Sequence, residues 1–180
     1  MLGPRVLLLA MDLYLERLAT PIGKLLIVSD EARLRAVDFG DREERMRAWV
    51  QRDWGDVRLV QRRSPLGARE RLERYFDGDL RAIDEIPTVV NGTPFERGVW
   101  DALRTIPPGT TTTYGALALS LGHPITSSRA VGTANGSNPI PIVVPCHRVI
   151  GAKGNLVGFG GGIDRKRWLL HHEGVLLVGT

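Results

Sequence analysis

The chain has 180 residues, one cysteine and a formal net charge of +4, with 43% hydrophobic and 6% aromatic residues. That length and apolar share suit a soluble globular protein of one or two small domains, and a single cysteine excludes an internal disulfide and a multi-cysteine zinc cage, so no structural metal is expected. The apolar run from Val6 to Met11 stops at Asp12, too short to span a bilayer and weak as a signal-peptide core; the expectation is a cytoplasmic protein whose basic pI, near 9.7, permits a polyanionic partner without requiring one.

Taken in order, Met11-Asp12-Leu13-Tyr14-Leu15 alternates with period two, Thr20-Pro21-Ile22-Gly23 reads as a turn, and Leu25 to Val28 and Leu34 to Phe39 are further apolar runs. Together they predict an antiparallel meander. Asp41-Arg42-Glu43-Glu44 has the form of a capping box and predicts a helix that carries Met46, Trp49 and Val50 inward and ends near Trp54-Gly55. Ser64-Pro65 predicts the start of another, with Leu66, Leu72, Tyr75 and Phe76 on one face as core filling and Asp77-Gly78 at its end. Residues 86–92 have no helical period and carry Pro87, Asn91 and Gly92, which divides the chain into a domain of residues 1–91 and one of residues 92–180.

Thr93-Pro94-Phe95-Glu96 combines an N-cap, a proline at the first helical position and a glutamate, and launches a helix with Phe95, Val99, Leu103 and Ile106 apolar. Pro107-Pro108-Gly109 ends it. Tyr114 to Gly122 predicts a short helix closed by the glycine, and Thr126 predicts the cap of a second that runs through Ser127, Ser128 and Arg129 to Ala134. Two short helices and a tight turn fit either a helix-turn-helix or an ordinary αα-hairpin; in the first case Thr126, Ser127 and Ser128 at the second helix N-terminus meet phosphate oxygens.

Ile140 to Ile150 is an apolar run that reads as a buried strand stopping at Pro145, with Cys146 immediately behind it. A thiol reacts as thiolate, and Pro145 favours a first helical turn while His147 and Arg148 supply basic neighbours, so the thiol pKa is expected to be lowered. A lone cysteine is also a plain small hydrophobe, and the residues alone leave both roles open.

The motif Pro145-Cys146-His147-Arg148, preceded by Asn138-Pro139-Ile140-Pro141, resembles the active-site signature of the O6-alkylguanine-DNA alkyltransferases, the methylated-DNA-protein-cysteine methyltransferases. The resemblance covers nearly the whole chain, is densest from Thr93 to Leu177, and in the N-terminal half is to stand-alone bacterial members. It implies an α+β protein: an N-terminal domain with a small antiparallel sheet and helices, then a mostly helical domain with a helix-turn-helix and the cysteine. The implied activity is irreversible, single-turnover, cofactor-free transfer of an alkyl group from O6-alkylguanine, and possible substrates include O4-alkylthymine, in double-stranded DNA to Cys146.

Residue by residue, the resemblance makes Arg129 of Arg129-Ala130-Val131-Gly132 the side chain that fills the space of the extruded nucleotide. His147 acts on the thiol through a water, and Glu173 of His171-His172-Glu173-Gly174 orients His147. Asn138 becomes a hydrogen-bonding hinge, and the Tyr114 hydroxyl serves a ring nitrogen of the flipped base. Without the resemblance, Arg129 reads as a surface charge, Asn138 as a turn residue and Tyr114 as packing. In the family scheme the carbonyls of Cys146 and Val149 accept from the exocyclic amine, and Gly158 to Gly162, with Phe159 and Gly160, forms the opposite wall. Some relatives carry tyrosine and serine at the positions of Phe159 and Gly160, so a side-chain bond there is lost and room for larger alkyl groups is gained.

Independently of the resemblance, Gly174 marks Glu173 as the end of a helix, where a carboxylate is disfavoured by about 0.3–1 kcal/mol unless it has a partner such as His147. Two other functions compete: a non-enzymatic alkyltransferase-like lesion-binding protein, which typically has tryptophan at the reactive position, and a thiol hydrolase, which turns over. No long heptad pattern predicts an oligomer, so a monomer is expected.

Overall fold

The structure, a computed structural model, describes residues 11–176. The part of the Val6–Met11 run before Met11 therefore lies outside the described residues. The fold is α+β. Strands β1 (Met11–Leu18), β2 (Leu25–Ser29), β3 (Leu34–Phe39) and β4 (Val57–Val60) form one sheet in the order β3-β2-β1-β4. β1, β2 and β3 are the expected antiparallel meander, while β4 joins the outer edge of β1 in parallel. β4 was not expected, because four residues broken by Arg58 carry almost no periodic signal.

Helix α1 (Glu43–Trp54) separates β3 from β4 and covers one sheet face, where Met46 and Val50 pack on Leu13, Leu15, Leu26, Val28 and Ala36. The other face, through Leu25, Ile27, Val37 and Phe39, joins a core shared with α2 (Ala68–Phe76) and with the C-terminal half. β2 is buried at all five positions because both of its faces are covered, which is why its sequence is a continuous apolar run.

Two predicted helix starts in the N-terminal half are corrected. Asp41 does not cap α1: the helix follows a 3-10 turn at Gly40–Arg42 with no side-chain cap, and the Asp41 carboxylate pairs with Arg165. Ser64 does not start α2, which begins at Ala68 after Gly67 in the left-handed region; the Ser64 hydroxyl instead bonds Ser29 and accepts from the Leu66 amide, so it organises a turn. The Thr93 capping box holds as expected at the head of α3 (Pro94–Arg104), with Glu96 N–H donating to Thr93 Oγ1 and Thr93 N–H to Glu96 Oε2.

β5 (Thr112–Thr113) leads into α4 (Tyr114–Ser120), followed by α5 (Ser128–Gly136), β6 (Val149–Ile150), which pairs in parallel with β5, and α6 (Ile163–His172). Gly122, at φ 76°, ends α4: its N–H donates to Leu119 and that of His123 to Ala118, satisfying the last carbonyls. Segment 86–92 lies along the free edge of β3, where Leu34 N–H donates to Pro87 O and Val89 N–H to Leu34 O.

The two halves meet through polar contacts as well as core. Val37 N–H donates to Pro139 O at 3.0 Å, Arg165 reaches back to Ile22 O at 2.9 Å, and Arg45, paired with the buried Asp38, donates to Gly160 O at 2.9 Å. No helix among the described residues is long and apolar enough to cross a membrane.

Candidate active site

The run expected as a buried strand is buried, but it is a turn. Pro139 and Pro141 remove two backbone donors, Val144 N–H donates back to Ile140 O, and Ile142 sits at φ 76°, a conformation costly for a β-branched residue. Asn138 holds that shape: its side chain accepts from Ile140 N–H at 3.0 Å and donates to Val144 O at 2.8 Å. The chain then leaves Pro145 in a single 3-10 turn, Cys146–Arg148, all three residues buried.

A three-residue 3-10 turn has little of the aligned dipole of an α-helix, and burial dominates the thiol. Burial pushes Cys146 up to about 11, with the nearby Asn138 amide and the Lys166 charge pulling the other way. The expectation of a lowered thiol pKa is therefore corrected: at rest the thiol keeps its proton, and reaction needs a base.

His147 Nε2 lies 2.9 Å from Glu173 Oε1, both side chains fully buried. Burial holds the imidazole below its ordinary pKa despite the carboxylate beside it, so the neutral form with its proton on Nε2 satisfies Glu173 and leaves Nδ1 as an acceptor. Nδ1 is buried and has no hydrogen-bond partner among the described residues. Glu173 caps the C-terminus of α6, and Gly174 turns the chain away at φ 82°. Its carboxylate also takes a two-pronged bond from Arg148, Nε to Oε2 at 2.9 Å and Nη2 to Oε1 at 2.8 Å, and a bond from the Tyr75 hydroxyl at 2.7 Å. Burial opposes the charge, but bonds from His147 and Arg148 hold Glu173 well below the usual carboxylate range.

Tyr114, at the head of α4, lines an open cavity of about 420 Å³ with Ser128, Arg129, Gly132, Thr133, Val157 and Gly158. Burial raises the Tyr114 pKa, and a thiolate at Cys146 acts in the same direction. Its hydroxyl donates to Val157 O at 3.2 Å. Arg129 is exposed on the second residue of α5, at the cavity rim. Thr126 does not cap α5: Ile125–Ser127 form a 3-10 turn opened by Pro124, and the α-helix continues from it with no side-chain cap. Thr126 and Ser127 stand on that turn, and Ser128 opens α5.

Phe159 and Gly160 do not line this cavity. Phe159 packs edge-on against Phe39 with ring centroids 6.3 Å apart, and the Gly160 carbonyl accepts from Arg45. Val149 is buried, its carbonyl taken by Lys166 Nζ at 2.7 Å. The Cys146 carbonyl accepts from Asn135 Nδ2 at 3.4 Å.

Four side chains at the site were absent from the sequence reading or read otherwise: Asn135, Tyr75, Arg148 as the partner of Glu173, and Lys166. Lys166 is fully buried, bonds the carbonyls of Val149, Val157 and Gly158, and is lowered to about 8 by burial. A signal for it existed, since Ile163, Lys166, Leu169, Leu170 and Glu173 recur at helical spacing on one face. Tyr75 offered none, because a tyrosine on an apolar face is read as packing and its partner lies 98 residues away.

A lone thiol, a neutral imidazole and a buried carboxylate set behind two short helices define a protein that works with a cysteine nucleophile. Residues 13–89 match the family model described as 6-O-methylguanine DNA methyltransferase, ribonuclease-like domain, and residues 94–175 match 6-O-methylguanine DNA methyltransferase, DNA binding domain. The methylated-DNA–protein-cysteine methyltransferase of Shigella flexneri is 51% identical over 167 residues, 91% of this chain and 96% of the relative. The protein of that name from Methanosarcina acetivorans is 42% identical over 162 residues, 90% and 99% of the two chains. Among solved structures, Mycobacterium tuberculosis OGT in complex with DNA superimposes with a TM-score of 0.75 at 38% identity, covering 89% of this chain and 92% of that one. The chain belongs to the 6-O-methylguanine DNA methyltransferase family.

Proposed function

We propose that the protein repairs DNA by direct reversal, moving the alkyl group of O6-alkylguanine in duplex DNA onto Cys146 once per molecule and without a cofactor. The observation that carries this is the His147 side chain, whose Nε2 is tied to Glu173 while its buried Nδ1 has no partner, one residue from a thiol that burial keeps protonated. Nδ1 takes the thiol proton, directly or through a water, and Glu173 stabilises the imidazolium that results. The sulfur then attacks the alkyl carbon. The S–C bond forms, the C–O6 bond breaks, and the electron pair left on the purine takes a proton from the Tyr114 hydroxyl, which is restored by the proton that His147 took from the thiol. The products are a thioether and unmodified guanine.

An O6 alkyl group inside a duplex is out of reach of a buried thiol, so the nucleotide must leave the stack at a cost of a few kcal/mol. Arg129 at the cavity rim is the side chain to fill the gap, with Ser128, Ser127 and Thr126 set to meet phosphates. In this scheme residues 92–180 carry the chemistry and residues 1–91 brace it. We place the protein in the cytoplasm, where reducing conditions keep Cys146 a free thiol.

The test is a duplex carrying O6-methylguanine labelled in the methyl group. Label should appear on the protein at no more than one methyl per chain and be absent from a Cys146→Ser variant. Label released to solution with turnover would make the protein a hydrolase, and binding without transfer would make it a lesion sensor.

A further inference from the structure

Tyr75 belongs to α2, in the N-terminal half, yet its hydroxyl donates to Glu173 Oε1 at 2.7 Å. The same oxygen is 2.9 Å from His147 Nε2 and accepts from Arg148 Nη2 at 2.8 Å, so three donors converge on one carboxylate oxygen. The phenol is fully buried, and burial together with the Glu173 charge keeps it protonated and donating. Its ring is held by two neighbours that also stack on each other: Phe76 meets it edge-on at 5.3 Å and His172 at 5.2 Å, and the His172 Nε2 bonds the Tyr75 carbonyl at 2.8 Å. A hydroxyl so fixed is not a chance contact of a mobile side chain.

We propose that Tyr75 is a positioning residue for alkyl transfer, supplied by the N-terminal half: its hydroxyl occupies the third acceptor position on Glu173 Oε1 and limits how tightly that carboxylate holds a proton on His147. The proposal rests on Cys146 being the alkyl acceptor and His147 its base. A base must be neutral before it can accept the thiol proton. A lone buried carboxylate 2.9 Å from an imidazole would favour the imidazolium and leave His147 already protonated. The positive end of the Tyr75 hydroxyl draws charge from the oxygen that faces His147, as Arg148 does, and both act against that outcome. The ionisable groups bearing on His147 are Glu173 and Lys166 from α6, Arg148 and Cys146 beside it, and Tyr75 from α2 through Glu173. Of these, Tyr75 has a hydroxyl that can be removed without removing a charge.

Tyr75→Phe keeps the ring and deletes the donor. Its His147 imidazole, followed by NMR against pH, is expected to titrate about half to one pH unit higher than in wild type. The acid limb of the methyl-transfer rate against pH should move upward with it, while the rate well above that limb changes less. A residue that only packs would lower the rate at every pH and leave the imidazole titration where it was, and that result overturns the proposal. Replacing all three tyrosines by 3-fluorotyrosine strengthens the donor and is the second arm should Tyr75→Phe not fold. There the His147 titration should move down, and an unmoved or raised titration counts against the assignment. The two levels of the argument separate cleanly: no transfer by wild type overturns the Cys146 reading and the role of Tyr75 in transfer with it. Transfer by wild type with an unmoved titration in Tyr75→Phe overturns Tyr75 alone.

Discussion

Cys146→Ser is expected to abolish transfer and preserve lesion binding, because a hydroxyl is nearly isosteric with the thiol but a far poorer nucleophile; labelled-methyl transfer and duplex affinity, measured side by side, check both halves. Burial of the same thiol predicts a stability signature. Its pKa is raised to about 11 from an ordinary value of 9.0, so the folded state holds its proton over a range in which the unfolded chain has lost it. That contribution is fully present below about pH 9 and is lost as pH rises through about 11. The stability of wild type relative to Cys146→Ala should therefore fall across this window, on the order of 2–3 kcal/mol, in denaturant melts of both proteins. An unchanged difference would mean that the thiol is wetter than its position implies.

At the scale of elements, the site is assembled where the end of α6 meets the Cys146–Arg148 turn and α2. Glu173→Gln removes the anion that stabilises the imidazolium and leaves Arg148 buried with a weakened partner. Transfer near neutral pH should slow, and the loss should shrink as pH rises and ionises the thiol without help. Thermal unfolding of the same sample should show a clear destabilisation, since breaking a buried pair costs about 3–5 kcal/mol. A rate lowered equally at all pH values would make Glu173 purely structural. The α4–α5 pair yields a different contrast. Arg129 is exposed at the cavity rim, so Arg129→Ala should leave alkylation of Cys146 by a free modified base intact and sharply reduce repair of duplex, which alone needs extrusion. Equal losses on both substrates would assign Arg129 to the pocket.

Across the whole molecule the charge balance is modest, +4 from 24 basic and 20 acidic side chains, and many arginines are already paired with carboxylates. Duplex affinity should accordingly fall with added salt through counterion release from the few phosphates engaged, at a shallower slope than for strongly basic DNA-binding proteins; affinity titrations at several salt concentrations measure it. Salt-independent binding would exclude phosphate contacts. The N-terminal half enters this picture as a brace: Arg45 holds the Gly160 carbonyl, Phe39 backs Phe159, and Tyr75 reaches the carboxylate behind the thiol.

Much of this was legible in the chain itself. A period-two segment and two apolar runs specified β1 to β3, and glycines at positive φ closed α4 and α6. The Thr93 box opened α3, and the Pro-Cys-His-Arg motif with Asn138 and Glu173 marked the site. These are local signals, carried by neighbours within a few residues. What the tertiary structure decided depends on groups far apart in sequence. Asp41 and Ser64 gave up capping for Arg165 and Ser29, and Lys166 was drawn inward by three carbonyls. The state of the thiol was settled in the same way. Adjacent basic residues suggested a low pKa, but desolvation by the surrounding core outweighs them and raises it, and no stretch of sequence shorter than the whole chain contains that core.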